Sequence, residues 1–109
     1  MSSNNELLYR KAFAVIINER FPGLFPKADE VLVEEGAFPI VNFRWEHPQN
    51  KINKHSGYPN FDGRVSTIGS DIHAFFFVEN RDSSYFSITM SPEMFCLCYE
   101  RMITKIPCE

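Results

Sequence analysis

The chain has 109 residues, 44% hydrophobic and 15% aromatic, enough for one core and too short for two domains. Its formal net charge of −3 argues against the cationic surface that sequence-independent nucleic-acid binding needs, so no direct nucleic-acid partner is expected. The same aromatic content excludes a disordered chain, which needs low hydrophobicity and high charge.

Ser3 to Glu6 reads SNNE, a capping-box pattern ahead of an apolar run. Leu8, Ala12, Val15, Ile16 and Glu19 follow at helical spacing, with Leu7, Phe13 and Ile17 widening the face, which predicts a helix from about Asn5 to Arg20. Pro22, Gly23 and Pro26 end it. Glu30 to Glu35 is short and β-branched and reads as a strand broken by Gly36. Pro39 to Glu46 alternates: Val41, Phe43 and Trp45 point one way, Asn42, Arg44 and Glu46 the other, which is a strand with one wet face.

Glu46 to Asp71 is polar and rich in turn residues, and reads as a long loop, functional or mobile. Within it Tyr58 to Gly63 suggests consecutive turns, and Arg64 to Ile68 a short strand. Ile72 to Glu79 is almost wholly apolar, as expected of a strand buried on both faces or covered by a loop. After a turn cluster at Asn80 to Ser83, Ser84 to Met90 alternates again, with Phe86, Ile88 and Met90 opposed to Tyr85, Ser87 and Thr89; the two runs form a hairpin. Ser91, Pro92 and Glu93 then supply an N-cap, a proline at the first helical position and an acid in the first turn. Phe95, Cys98, Tyr99, Met102 and Ile106 fall on one face of the helix that follows, which runs to about Lys105 before Pro107. The order is helix, three to five strands, helix. It predicts an α+β domain over residues 1–109, with a mainly antiparallel sheet carrying both helices on one face.

No secretory leader is expected, because Met1 to Asn5 is polar and the next run is broken by Arg10, Lys11, Asn18 and Glu19. No apolar run approaches the ~18 residues of a membrane span. The three cysteines are an odd number, and Cys96 and Cys98 are near neighbours, a pattern that suits reduced thiols in a cytoplasmic protein. On a helix, side chains two apart point about 200° from each other, so these two cannot share an ion and act as small apolar residues. Neither a metal nor a cofactor is expected.

His47, His55 and His73 lack zinc-site spacing, and His73, inside an apolar strand, reads as a hydrogen-bonded structural residue. His47 and His55, with Lys54 and Arg64, carry the side chains of a metal-independent ribonuclease: a base, and cations for developing charge. Gly57, Gly63 and Gly69 match no nucleotide-binding pattern. Charge is uneven. Residues 29 to 46 hold Asp29, Glu30, Glu34, Glu35 and Glu46 against Arg44 alone, a formal −4. Such an edge either docks a cationic partner or protects a strand edge from aggregation. Tyr58 and Phe61 either anchor a partner or pin the loop.

In size, acidity and helix–sheet–helix order the whole chain resembles the immunity proteins of bacterial contact-dependent inhibition and related toxin systems. The likeness rests on overall character rather than on a motif. It implies a protein-binding inhibitor, not an enzyme, that covers the basic cleft of a cognate nuclease toxin and is itself a monomer when free. Asp29, Glu30, Glu34, Glu35 and Glu46 are then the expected contacts, with Tyr58 and Phe61 as anchors. The alternatives are the ribonuclease-like enzyme and a subunit that self-associates through Ile72 to Glu79.

Overall fold

The structure is a computed structural model, and it describes residues 3–79 and 85–105. Helix α1 spans Ser3–Arg20. A short 3-10 turn at Ala28–Glu30 leads into strand β1, Leu32–Ala37, and strand β2, Ile40–Glu46. Helix α2 is one turn, Pro48–Ile52. Strands β3 (Asn60–Ile68), β4 (Asp71–Val78) and β5 (Tyr85–Met90) follow, and helix α3, Pro92–Ile103, closes the order. The five strands form one antiparallel meander in the order β1-β2-β3-β4-β5. With α1 and α3 packed against it, the architecture is α+β, as the sequence predicts.

The sheet has one covered and one open face. Val41, Phe43 and Trp45 on β2, Phe61 and Val65 on β3, and Ile72, Ala74, Phe76 and Val78 on β4 are all buried under the helices. Helix α1 is buried without interruption from Ala12 to Ile17, because the sheet covers one side and α3 and the 3-10 turn cover others. A helix apolar around much of its circumference needs cover of this kind. Leu7, expected on its inner face, is 46% exposed. Glu6 of the SNNE motif pairs with Arg10 one turn on, at 2.7 Å. Helix α3 starts as predicted: Ser91 Oγ accepts from the Met94 amide (3.2 Å), and Pro92 takes the first helical position. Phe95, Tyr99 and Met102 enter the core, and the Tyr99 hydroxyl accepts from the Ala28 amide at 2.9 Å. Ile106, Pro107 and Cys108, like the turn cluster at Asn80 to Ser83, lie outside the described residues.

Two expectations are corrected. Residues 46–71 are not a long loop. The His47 imidazole accepts from the Gln49 amide through Nδ1 (3.1 Å) and so caps α2, a role usually filled by smaller polar side chains. Asn60 Oδ1 accepts from the His47 amide and from Asn50 Nδ2, and Asn50 Nδ2 also donates to the Tyr58 carbonyl. These amides stitch the segment shut. The presumed turns at Asn60 to Gly63 are the start of β3, the central strand. The second correction concerns Ile72 to Glu79, which is covered on one face only. Its other face stays open, with Phe77 45% exposed.

In β3, position 63 is a glycine because helix α1 sits on it. A Cβ there would lie 2.0 Å from the Phe75 carbonyl oxygen and 2.6 Å from the Phe13 ring. At Gly36, φ is +99° and a Cβ would lie 2.7 Å from the Ile40 carbonyl, so the glycine continues β1 to its turn rather than breaking the strand.

Candidate interaction face of the sheet

The open face is ordered by the strand register. One row across it reads Leu32, Arg44, Asp62, Phe77, Tyr85, and the next reads Glu35, Asn42, Arg64, Phe75, Ser87. Charge therefore collects on β1 to β3 and aromatic surface on β4 and β5. Phe75 lies 6.2 Å from Phe77 and 6.0 Å from Tyr85, ring centre to ring centre, and Tyr85 is 66% exposed. A groove of about 500 Å³ runs between the two halves, lined by Glu34, Glu35, Asp62 and Arg64 on one side and by Phe75 and Phe77 on the other.

A bulge in β1 shapes the acidic wall. The register shifts between Val33 and Glu35, so Glu34 has no partner of its own on β2. Strict alternation would turn Glu34 and Glu35 to opposite faces. The extra residue lets both line the groove.

Arg44 organises the charges behind that wall. Its Nη1 donates to both Asp62 oxygens at 3.0 Å, its Nη2 donates to Glu79 at 2.7 Å, and its Nε lies 3.9 Å from Glu46. Burial alone would pull the guanidinium down, but its hydrogen bonds to Glu79 and Asp62 outweigh that and keep it firmly protonated. The hydrogen bond from Arg44 holds the Glu79 carboxyl below its ordinary range. Glu34 is shifted the opposite way. Its hydrogen bond with Asp62, then burial and the Asp62 charge, raise it above the ordinary range. The Arg44 charge opposes this rise, but Arg44 hydrogen-bonds Asp62 and Glu79, and the Asp62 contact dominates at Glu34.

A pH dependence follows. Glu79 has a depressed folded pKa, so its stabilising share is full above the unfolded carboxylate value and is lost as pH falls through the folded one. Glu34 has a raised folded pKa, so its ionisation destabilises above that value and the cost disappears on acidification. Arg44→Gln should therefore lower stability at pH 7 by about 1–2 kcal/mol, between the values for exposed and buried pairs. The gap from wild type should close only as pH falls through the depressed Glu79 value, to about pH 2, below the ordinary carboxylate range. Urea unfolding of both proteins at the two pH values checks this.

The remaining predicted contacts are divided between faces. Glu34, Glu35 and Glu46 belong to the open face. Glu30 accepts from the Trp45 indole (3.3 Å) and from the Lys27 amide (3.1 Å), which places it, with exposed Asp29, on the helix-covered side. Phe61 is fully buried against Trp45, Phe21 and Phe76 and cannot be a surface anchor. Its position in β3, opposite Trp45, turns it into the core. Tyr58 is 48% exposed, stacked 3.9 Å over His47 beside a second hollow that Lys54 and Glu46 also line. Asp62, Phe75, Phe77, Glu79 and Tyr85 complete the face without having been singled out as site residues.

Arg64 stands apart from the rest of the ribonuclease set. Arg64 is on the open face, four residues along β3 from Asn60, which holds the His47 amide; that separation is about 13 Å. His47 Nδ1 is occupied by its cap, and burial, opposed by Glu30, lowers its pKa. His55 is exposed beyond α2. His73 Nδ1 lies 2.7 Å from Thr89 Oγ1, a structural pairing as expected. Cys96 and Cys98 are free and half-buried on α3. Among the described residues no group of three metal-ligating side chains converges, and no helix is long and apolar enough to cross a membrane. No family model matches the chain, and no curated protein or solved structure does either.

Proposed function

We propose that this chain is a cytoplasmic protein-binding inhibitor that docks a basic partner on the open face of its sheet, the role of an immunity protein toward a nuclease toxin. One observation carries the reading: Glu46, Asp62 and Glu79 pair with Arg44, and Glu34 and Glu35 line the adjoining groove opposite Phe75 and half-exposed Phe77. Acidic groups steer a cationic partner and reject others, while aromatic groups beside them supply the desolvated contact area that holds it. Aromatic side chains that stay exposed on an otherwise polar sheet face mark an interaction surface.

The face also fixes which acids matter. Glu34→Lys with Glu35→Lys should cut capture of a basic protein from the native cytoplasm about tenfold or more at low salt, and much less at high salt. Asp29→Lys, on the helix side, should leave capture unchanged. Mass spectrometry of tagged protein and its bound material reads both. Equal capture of the same basic partner by the Glu34→Lys/Glu35→Lys variant would remove the open face from the account. A binding protein needs no general base, so RNA should survive incubation across about pH 5 to 8, where histidine titrates. Cleavage abolished by His55→Ala in a folded variant would replace the inhibitor reading with the nuclease one.

A further inference from the structure

The two edges of the sheet are protected unequally. β1 carries a bulge, two glutamates and a glycine in a left-handed conformation, all of which hinder the addition of another strand. β5 carries none of these. Its six residues, YFSITM, include no charge, proline or glycine, and they pair with β4 in an unbroken register from Tyr85 to Met90. Among the described residues nothing pairs with its outer side, and Tyr85, Ser87 and Thr89 are exposed.

We infer that β5 pairs antiparallel with β5 of a second copy of this chain, joining two five-stranded sheets into one of ten strands. Self-pairing suits this strand for three reasons. An antiparallel pair of identical strands obeys a twofold axis, so each copy offers the same surface and the assembly closes at two. A neutral strand meets itself without repulsion, whereas β1 against β1 would set glutamates against glutamates. A continuous sheet also sets exposed Tyr85 beside cross-strand neighbours from the other copy. The basic partner of the acidic half is not the occupant here, since β5 offers it no carboxylate. The apolar run Ile72 to Glu79, the sequence's own candidate for self-association, cannot add a strand, because β3 and β5 take both its edges. Edge pairing leaves the open faces of both copies, with their acids and with Phe75 and Phe77, free, so the inference stands apart from the inhibitor reading.

Sedimentation equilibrium of the full chain tests it, on wild type, Ser87→Lys, Ser87→Glu and an equimolar mixture of the two variants. Ser87 faces solvent, so both variants should keep the native circular dichroism. A pairing centred near Ser87 places the introduced charges opposite or diagonal to each other, within reach of long side chains. Wild type should dimerise, each variant should be monomeric, and the mixture should regain the dimer. Ser87→Arg and Ser87→Asp repeat the comparison should either variant misfold. A wild type monomeric up to about 1 mM, the weak limit of a specific complex, overturns the inference. So do variants that dimerise as wild type does, or a mixture that stays monomeric.

Discussion

Gly63→Ala should destabilise the domain by about 3 kcal/mol, the upper part of the range for overfilling a packed core. The added methyl would meet the Phe75 carbonyl oxygen at 2.0 Å and the Cα of Phe76 at 2.7 Å, and both are backbone. A flexible side chain could step aside, but a central strand bonded to β2 and β4 on either side cannot shift alone. The Phe13 ring, 2.6 Å from the new atom, is fully buried between α1 and the sheet and has little room to rotate. The cost therefore reaches the strand spacing and the seat of α1 together. For a domain of this size it corresponds to a fall in melting temperature of roughly 10–20 °C. Thermal unfolding followed by circular dichroism measures it. A change under about 1 kcal/mol would mean that α1 does not rest on Gly63.

The largest effect on binding is expected at Phe77. Its ring is 45% exposed, beside Phe75 and one strand from Asp62, where the aromatic and acidic halves of the face meet. A half-exposed ring contributes little to folding, so Phe77→Ala should change stability by less than about 1 kcal/mol. Against the captured basic partner it should cost about 2 kcal/mol, a roughly 30-fold weaker complex, because a central aromatic contact desolvated on binding is where interface energy concentrates. Titration calorimetry of wild type and variant reads the difference directly. Unchanged affinity would leave the aromatic half without a role in docking.

Much of this architecture is legible in the sequence for identifiable reasons. Val41, Phe43 and Trp45 alternate with Asn42, Arg44 and Glu46 because β2 has one wet face, and the same period-two signal in β5 separates Phe86, Ile88 and Met90 from Tyr85, Ser87 and Thr89. Ser91, Pro92 and Glu93 mark a helix start by local chemistry alone. Other features depend on contacts distant in sequence. Gly63 looks like a turn residue in YPNFDG, yet it lies mid-strand because Phe13, fifty residues earlier, needs its space. Phe61 belongs to that same turn-like string, and only pairing with Trp45 turns it inward. The bulge at Glu34 is a single extra residue with no sequence marker, and it decides that two adjacent glutamates share a face.

The candidate site was half visible. Three of the five acids in the first charged stretch lie on the open face, and the other two are carried to the helix side by the 3-10 turn before β1. The aromatic half was hidden within an apolar run. Phe75 and Phe77 alternate with Ala74, Phe76 and Val78, so uniform hydrophobicity there conceals a core face and an exposed one. The signal that separates them is the register, which sets Phe77 beside Asp62 and Tyr85.

Hydroxyl-radical footprinting of the protein alone and with its captured basic partner tests the open face most directly. The account predicts that Phe75 and Phe77 lose reactivity in the complex while Met94 and Leu97, exposed on helix α3, keep theirs. Protection of Met94 or Leu97, with Phe77 as reactive as in the free protein, would contradict it.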